Sequence, residues 1–133
     1  MIKEAYVSFE AAKLLKEKGF NEATNRHYNA KYDEIRTVSD TFMTYWNNEE
    51  HMKVLMMEGA LAIPTHQMAM KWLREEKRTS IIIEFDLTKR GYCPYVYQLD
   101  YDMEWVVKWR INTPIKYEEA VEAALKYSLE NLI

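Results

Sequence analysis

The chain is poor in the residues that staple or interrupt a fold: its 133 residues include one cysteine, 3 glycines and 3 prolines. A single cysteine, Cys93, makes no internal disulfide and no thiolate metal cage, which excludes disulfide scaffolds and zinc ribbons and predicts a reducing compartment. Long apolar runs are missing as well. Runs such as residues 60–64 and 81–83 fall far short of the roughly 18 that cross a bilayer. The segment Met1-Ile2-Lys3-Glu4-Ala5-Tyr6 has no charged lead followed by an apolar stretch, so a secretory signal is not expected and a cytoplasmic location is. Positive charge is not in excess either: 18 Lys and Arg stand against 21 Asp and Glu, a net charge of −3. Such a field repels polyanions, and binding to nucleic acid would need a local basic patch. There is no internal repeat and no low-complexity segment.

What is present is enough for a core. Hydrophobic residues make up 48% of the chain, with 10 Tyr, 4 Trp, 4 Phe and 8 Met, a mixture that suits either a filled interior or a binding surface. Length and even composition predict one α+β domain over residues 1–133, with residues 1–63 as an N-terminal helix and hairpin extension and residues 64–133 as the core.

Ser8 caps a helix over residues 8–18 whose apolar face is Phe9, Ala12 and Leu15 with the flanking Ala11; Gly19 ends it and lets Phe20 pack back on Leu15. Residues 26–32 and 35–38 form a hairpin around Asp33. Asn47-Asn48-Glu49-Glu50 opens a helix reaching Glu58, with Met52, Leu55 and Met56 as its buried stripe. The competing reading makes residues 54–63 partly extended, because Ile63 precedes a proline. Thr65 caps a helix to about Lys77 with Met68, Ala69, Trp72, Leu73 and Glu76 on one side. Three period-two segments follow, 80–87, 93–101 and 104–111. Their odd positions, among them Ile81, Tyr95, Tyr97, Tyr101, Trp105 and Trp109, make the buried face of an antiparallel meander. A last helix, 117–132, carries the stripe Ala120, Val121, Ala124, Leu125, Ser128, Leu129 and Leu132. Helix, three strands, helix, with both helices on one sheet face, is a two-layer sandwich.

This αβββα order, ending in the alanine-rich stretch from Tyr117 to Glu130, resembles the double-stranded-RNA-binding domain. In that family the last helix opens with lysines that hold phosphates, whereas this chain has Glu118 and Glu119 there, which repel them. A second resemblance rests on Pro64-Thr65-His66-Gln67-Met68-Ala69-Met70-Lys71-Trp72-Leu73-Arg74-Glu75-Glu76-Lys77 and on residues 117–133. These are similar to short uncharacterised proteins of anaerobic gut bacteria, their prophages and mobile elements. That resemblance implies a phage or mobile-element origin and a fold, and carries no known activity with it.

The chemistry-bearing residues point away from catalysis. His27, His51 and His66 are spaced unlike any compact set of metal ligands, so no metal or other cofactor is expected, and His66 is expected to face solvent. Cys93 lies beside Pro94 with no histidine near it in sequence, and reads as a small buried or edge residue. The pairs Glu49-Glu50, Glu75-Glu76 and Glu118-Glu119 are adjacent in helices and do not face each other. There is no glycine-rich phosphate loop, no Gly-x-Ser-x-Gly and no His-Glu-x-x-His, so an enzyme would need a site assembled from scattered residues. The expected function is a non-enzymatic module that binds another macromolecule, first of all protein, including a second copy in a homodimer. Tyr28, Tyr32, Tyr45 and Trp46 are the candidate interface, because the N-terminal half has more aromatics than it can bury. The alternative is a nucleic-acid module in which Lys71, Arg74, Lys77 and Arg78 join Lys89 and Arg90 in one patch, with Tyr92 or Tyr95 stacking on a base.

Overall fold

A computed structural model describes residues 4–133; residues 1–3, the start of the segment read above for a signal, lie outside the described residues. The fold is α+β, with four α-helices and two three-stranded antiparallel sheets among the described residues. By its internal contacts the chain divides into two compact units, one ending at Thr65 and the other spanning His66–Ile133.

In the first unit, α1 (Phe9–Glu17) starts where the Ser8 hydroxyl accepts the Ala11 amide at 3.1 Å. It ends at Gly19, whose φ of +98° lets the Phe20 amide donate back to the Leu15 carbonyl at 2.9 Å. Ala11, Ala12, Leu15 and Phe20 are buried there, whereas Phe9 of the expected apolar face is exposed. The expected hairpin is β1 (Arg26–Asn29) with β2 (Glu34–Thr37), and its turn carries Asp33 at φ +49°. A third strand, β3 (Leu61–Ala62), pairs with the other edge of β1. The extended reading of residues 54–63 therefore holds for its last few residues.

Helix α2 (Glu49–Val54) is shorter than the sequence predicts. Met56 takes a left-handed φ of +56°, its amide donates to the Lys53 carbonyl, and the Met57 amide donates to Met52. That is the helix-ending hydrogen-bond pair usually built around glycine. Leu55 and Met56 consequently lie beyond the helix and are exposed, and only Met52 of the expected stripe is buried.

The second unit runs α3 (His66–Glu76), β4 (Thr79–Asp86), β5 (Gly91–Leu99), β6 (Trp105–Arg110) and α4 (Tyr117–Asn131), with sheet order β4-β5-β6. All six residues of α4 from Ala120 to Leu129 that the stripe names are buried. Helix α3 is rotated slightly from expectation: Met70 is buried, while Glu76 is exposed. Helix α3 lies against β4, and α4 against β4 and β5.

The pairing register decides which sheet face the helices cover. On the helix side, Ile81 opposes Val96, Ile83 opposes Pro94 and Phe85 opposes Tyr92. Tyr92 meets Tyr117 of α4 edge-on at 5.2 Å, and the Gln98 side-chain amide donates to the Leu132 carbonyl at 3.3 Å. Since side chains alternate along a strand, Cys93, Tyr95, Tyr97 and Leu99 face away from the helices. This inverts the face expected for β5. Both of its faces are apolar enough to be buried, and Gln98, which suggested a solvated side, is instead satisfied at the helix end.

Strand β6 departs too. Trp109 opposes Val96, but Val107 opposes Tyr97, so Lys108 is an extra residue, a bulge that flips the alternation. Trp109 stacks on Tyr127 of α4 at 4.9 Å, whereas Val107 and Trp105 lie on the other face. Tyr101 is past the end of β5 and fully exposed. Among the tryptophans, the expected buried layer keeps Trp72 outright and Trp109 in part, and loses Trp105.

Candidate interaction surface

The helix-free face of β4-β5-β6 is an aromatic and aliphatic platform. Reading across the strands, Ile82, Tyr95 and Arg110 make one row, Ser80, Tyr97 and Val107 the next, and Leu99 and Trp105 a third. Ile82, Trp105 and Val107 are each about half exposed, at 48%, 49% and 47%. Tyr95 and Tyr97 lean together with ring centroids 6.4 Å apart. The Glu84 carboxylate beside Tyr95 raises that phenol above its ordinary range, and burial adds to the shift. The hydroxyl therefore stays protonated and can donate. A surface of this kind, amphipathic rings held rigid on a sheet, gives large contact area at low entropic cost.

The four aromatics singled out in the N-terminal half divide between interior and surface. Trp46 is only 7% exposed: its Nε1 donates to the Thr24 carbonyl at 2.8 Å and its ring stacks on His27 at 3.6 Å, so it completes the core of the first unit. Tyr28 is half-buried, edge-on to Phe9 at 5.0 Å, with its hydroxyl donating to Asp33 at 2.6 Å. Tyr32 and Tyr45 are exposed, and the Arg36 guanidinium lies 5.1 Å from the Tyr32 ring.

Burial holds His27 below its ordinary pKa, and the Arg36 guanidinium paired across the strand lowers it further. The unfolded chain then takes up a proton first, near pH 6.5. Stability is full above that pH and declines as pH falls toward the folded-state value, by at most about 1.4 kcal/mol per pH unit. Denaturation of the wild type at pH 7 and pH 5 checks this: the loss should shrink in His27→Gln, and an unchanged loss would assign it to another group.

The basic residues do not gather. Arg78 sits just before β4, and Lys89 and Arg90 follow its far end. Eight residues of strand separate them, about 23 Å. Lys71 and Arg74 are exposed along α3, and Lys77 leans over the Trp72 ring at 5.5 Å. Lys89 donates to the Asn112 carbonyl at 3.3 Å at the hairpin end. At the other end, Lys77, Arg78 and Lys108 line a cleft of about 440 Å³ opposite Asp100. The same turn carries Asp102 and Glu104.

His66 is buried, not solvent-facing: its ring sits at 4% exposure with Nε2 2.9 Å from the Glu122 carboxylate of α4. Its place in the first turn of α3 turns it toward α4, a pairing between residues 56 apart that spacing along one helix cannot show. Cys93 is buried, its thiol 3.7 Å from the Asn112 carbonyl. Among the described residues, no three His, Cys, Asp or Glu side chains converge as metal ligands, and no helix is long and apolar enough to cross a membrane.

Two facts conceal the platform of Tyr95, Tyr97 and Trp105 in the sequence: β5 is apolar on both faces, and the bulge at Lys108 breaks the alternation of β6. The one usable signal was the residue type, since Pro94 and Val96 suit a dry face and tyrosines suit a half-wetted one. Comparison of the chain with family models, with curated proteins and with solved structures returned no match.

Proposed function

We propose that this protein is a non-enzymatic interaction module, cytoplasmic and of phage or mobile-element origin, that binds a protein partner through the helix-free face of β4-β5-β6. The observation that carries the reading is a platform of half-exposed Ile82, Trp105 and Val107 with partly buried Tyr95 and Tyr97, on a sheet whose other face is packed by helices. Apolar side chains that could have been spent on a core are held in solvent by the register of β5 and the bulge of β6, and exposed contiguous apolar surface of this kind marks binding sites. Two polar groups that line the clefts have structural partners: Lys16 donates to the Ala60 carbonyl at 3.2 Å, and Asp100 accepts the amides of Asp102 and Glu104 at 2.9 Å each. These contacts support binding over catalysis.

A photo-crosslinking amino acid placed at Val107 tests the reading in cells. Protein adducts should form there and fall sharply when Trp105→Glu is added. Adducts no more abundant than from the exposed control position Glu130 on α4 would overturn it, and adducts to nucleic acid alone would replace it with the nucleic-acid alternative.

A further inference from the structure

We propose that the partner includes a second copy of this chain, and that two copies join through the outer edges of β6 into one six-stranded antiparallel sheet; this rests on the binding-module reading above. In its sheet β6 pairs with β5 on one side and with no strand on the other among the described residues. An unpaired apolar edge presents free amides and carbonyls that template another strand. Trp105, Val106 and Val107 are 49%, 39% and 47% exposed, three consecutive apolar residues that cover both faces of that edge. The opposite edge, β4, carries Glu84 and Asp86 and has α3 against it.

The charges at the two ends of β6 select a second copy as the occupant. Glu104 precedes the strand, while Lys108 and Arg110 lie at its end. None of the three belongs to the ion pairs of the described residues. Laid antiparallel to itself about Val106, the strand sets Trp105 against Val107 of the partner subunit and Glu104 against Lys108 of the partner subunit. Parallel pairing would stack like on like. Aromatic against β-branched and acid against base are the favourable cross-strand pairs, and two-fold symmetry makes each of them twice. The bulge at Lys108 ends the regular pairing there, which keeps the contact short and reversible. Joining the edges also makes the two platforms of Tyr95, Tyr97 and Trp105 continuous.

Analytical ultracentrifugation of the full chain tests the proposal. The mean mass should rise from monomer toward dimer with concentration, and amide exchange at residues 105–107 should slow in parallel. Glu104→Lys and Lys108→Glu each place like charges opposite one another and should weaken self-association roughly tenfold. Mixing the two variants in equal amounts should restore it, because the mixed pair is complementary; this restoration separates lost pairing from misfolding. A monomer at every attainable concentration, dimers with unchanged exchange at residues 105–107, or single variants that associate like the wild type would each overturn the edge pairing. A strict monomer that still gives protein adducts from Val107 removes the dimer and leaves the binding module standing, whereas loss of those adducts removes both.

Discussion

Replacing Trp46 with alanine is expected to unfold the N-terminal unit at room temperature. The indole is 7% exposed, stacked at 3.6 Å and an interplanar angle of 10° on His27, and hydrogen-bonded to the Thr24 carbonyl. Truncating a buried tryptophan costs roughly 3–5 kcal/mol, and a unit of this size is rarely more stable than that. Trp46→Phe keeps a ring on His27 and loses the hydrogen bond. The Thr24 carbonyl still accepts the Thr44 amide, so that variant should lose only about 1 kcal/mol. Two-dimensional NMR reads both: the signals of His27, Thr24 and Met52 should collapse in the alanine variant and persist in the phenylalanine one. An alanine variant that keeps them would show that Trp46 is a surface residue after all.

Gly91→Ala should produce the second large loss, in the C-terminal unit. A Cβ at this position would lie 2.5 Å from the Pro114 Cβ and 3.2–3.3 Å from its backbone. The chain after β6 returns along β5 here, with the Tyr92 and Ile115 amides and carbonyls exchanging hydrogen bonds at 2.9 and 3.0 Å. A methyl group must push that return segment off the strand, at a cost of about 1–3 kcal/mol. Pro114→Gly removes the Cβ that makes the closest contact and should recover part of the loss. Thermal unfolding of the single and double variants checks the pair, and no recovery in the double variant would place the cost elsewhere. In the sequence Gly91 reads as an ordinary hairpin glycine, since the neighbour that requires it is 23 residues away.

Local physics was legible from the residues alone. Ser8, Gly19 and Phe20 specify the limits of α1, and the stripe of α4 specifies its buried side, because in both cases the partners lie within one or two helical turns. Non-local choices were not legible. The face of β5 depends on where Gln98 finds an acceptor, which is the Leu132 carbonyl at the far end of the chain. The face of Trp105 depends on a bulge at Lys108 that no alternation of apolar and polar residues announces. Met56 ends α2 in a conformation that favours glycine, so the sequence placed that stop at Gly59. The candidate site suffered most from this: the aromatics read as core, Tyr95, Tyr97 and Trp105, form the open platform, and one read as interface, Trp46, is core.

Hydroxyl-radical footprinting of the three tryptophans Trp46, Trp72 and Trp105 tests the central claim most directly. In dilute purified protein Trp105 should be oxidised far faster than Trp46 and Trp72, and in concentrated protein or in cells its oxidation alone should slow as the platform is covered. Oxidation of Trp105 at the slow rate of Trp72 in dilute solution would contradict the account, because the sheet face it rests on would then be closed within the chain.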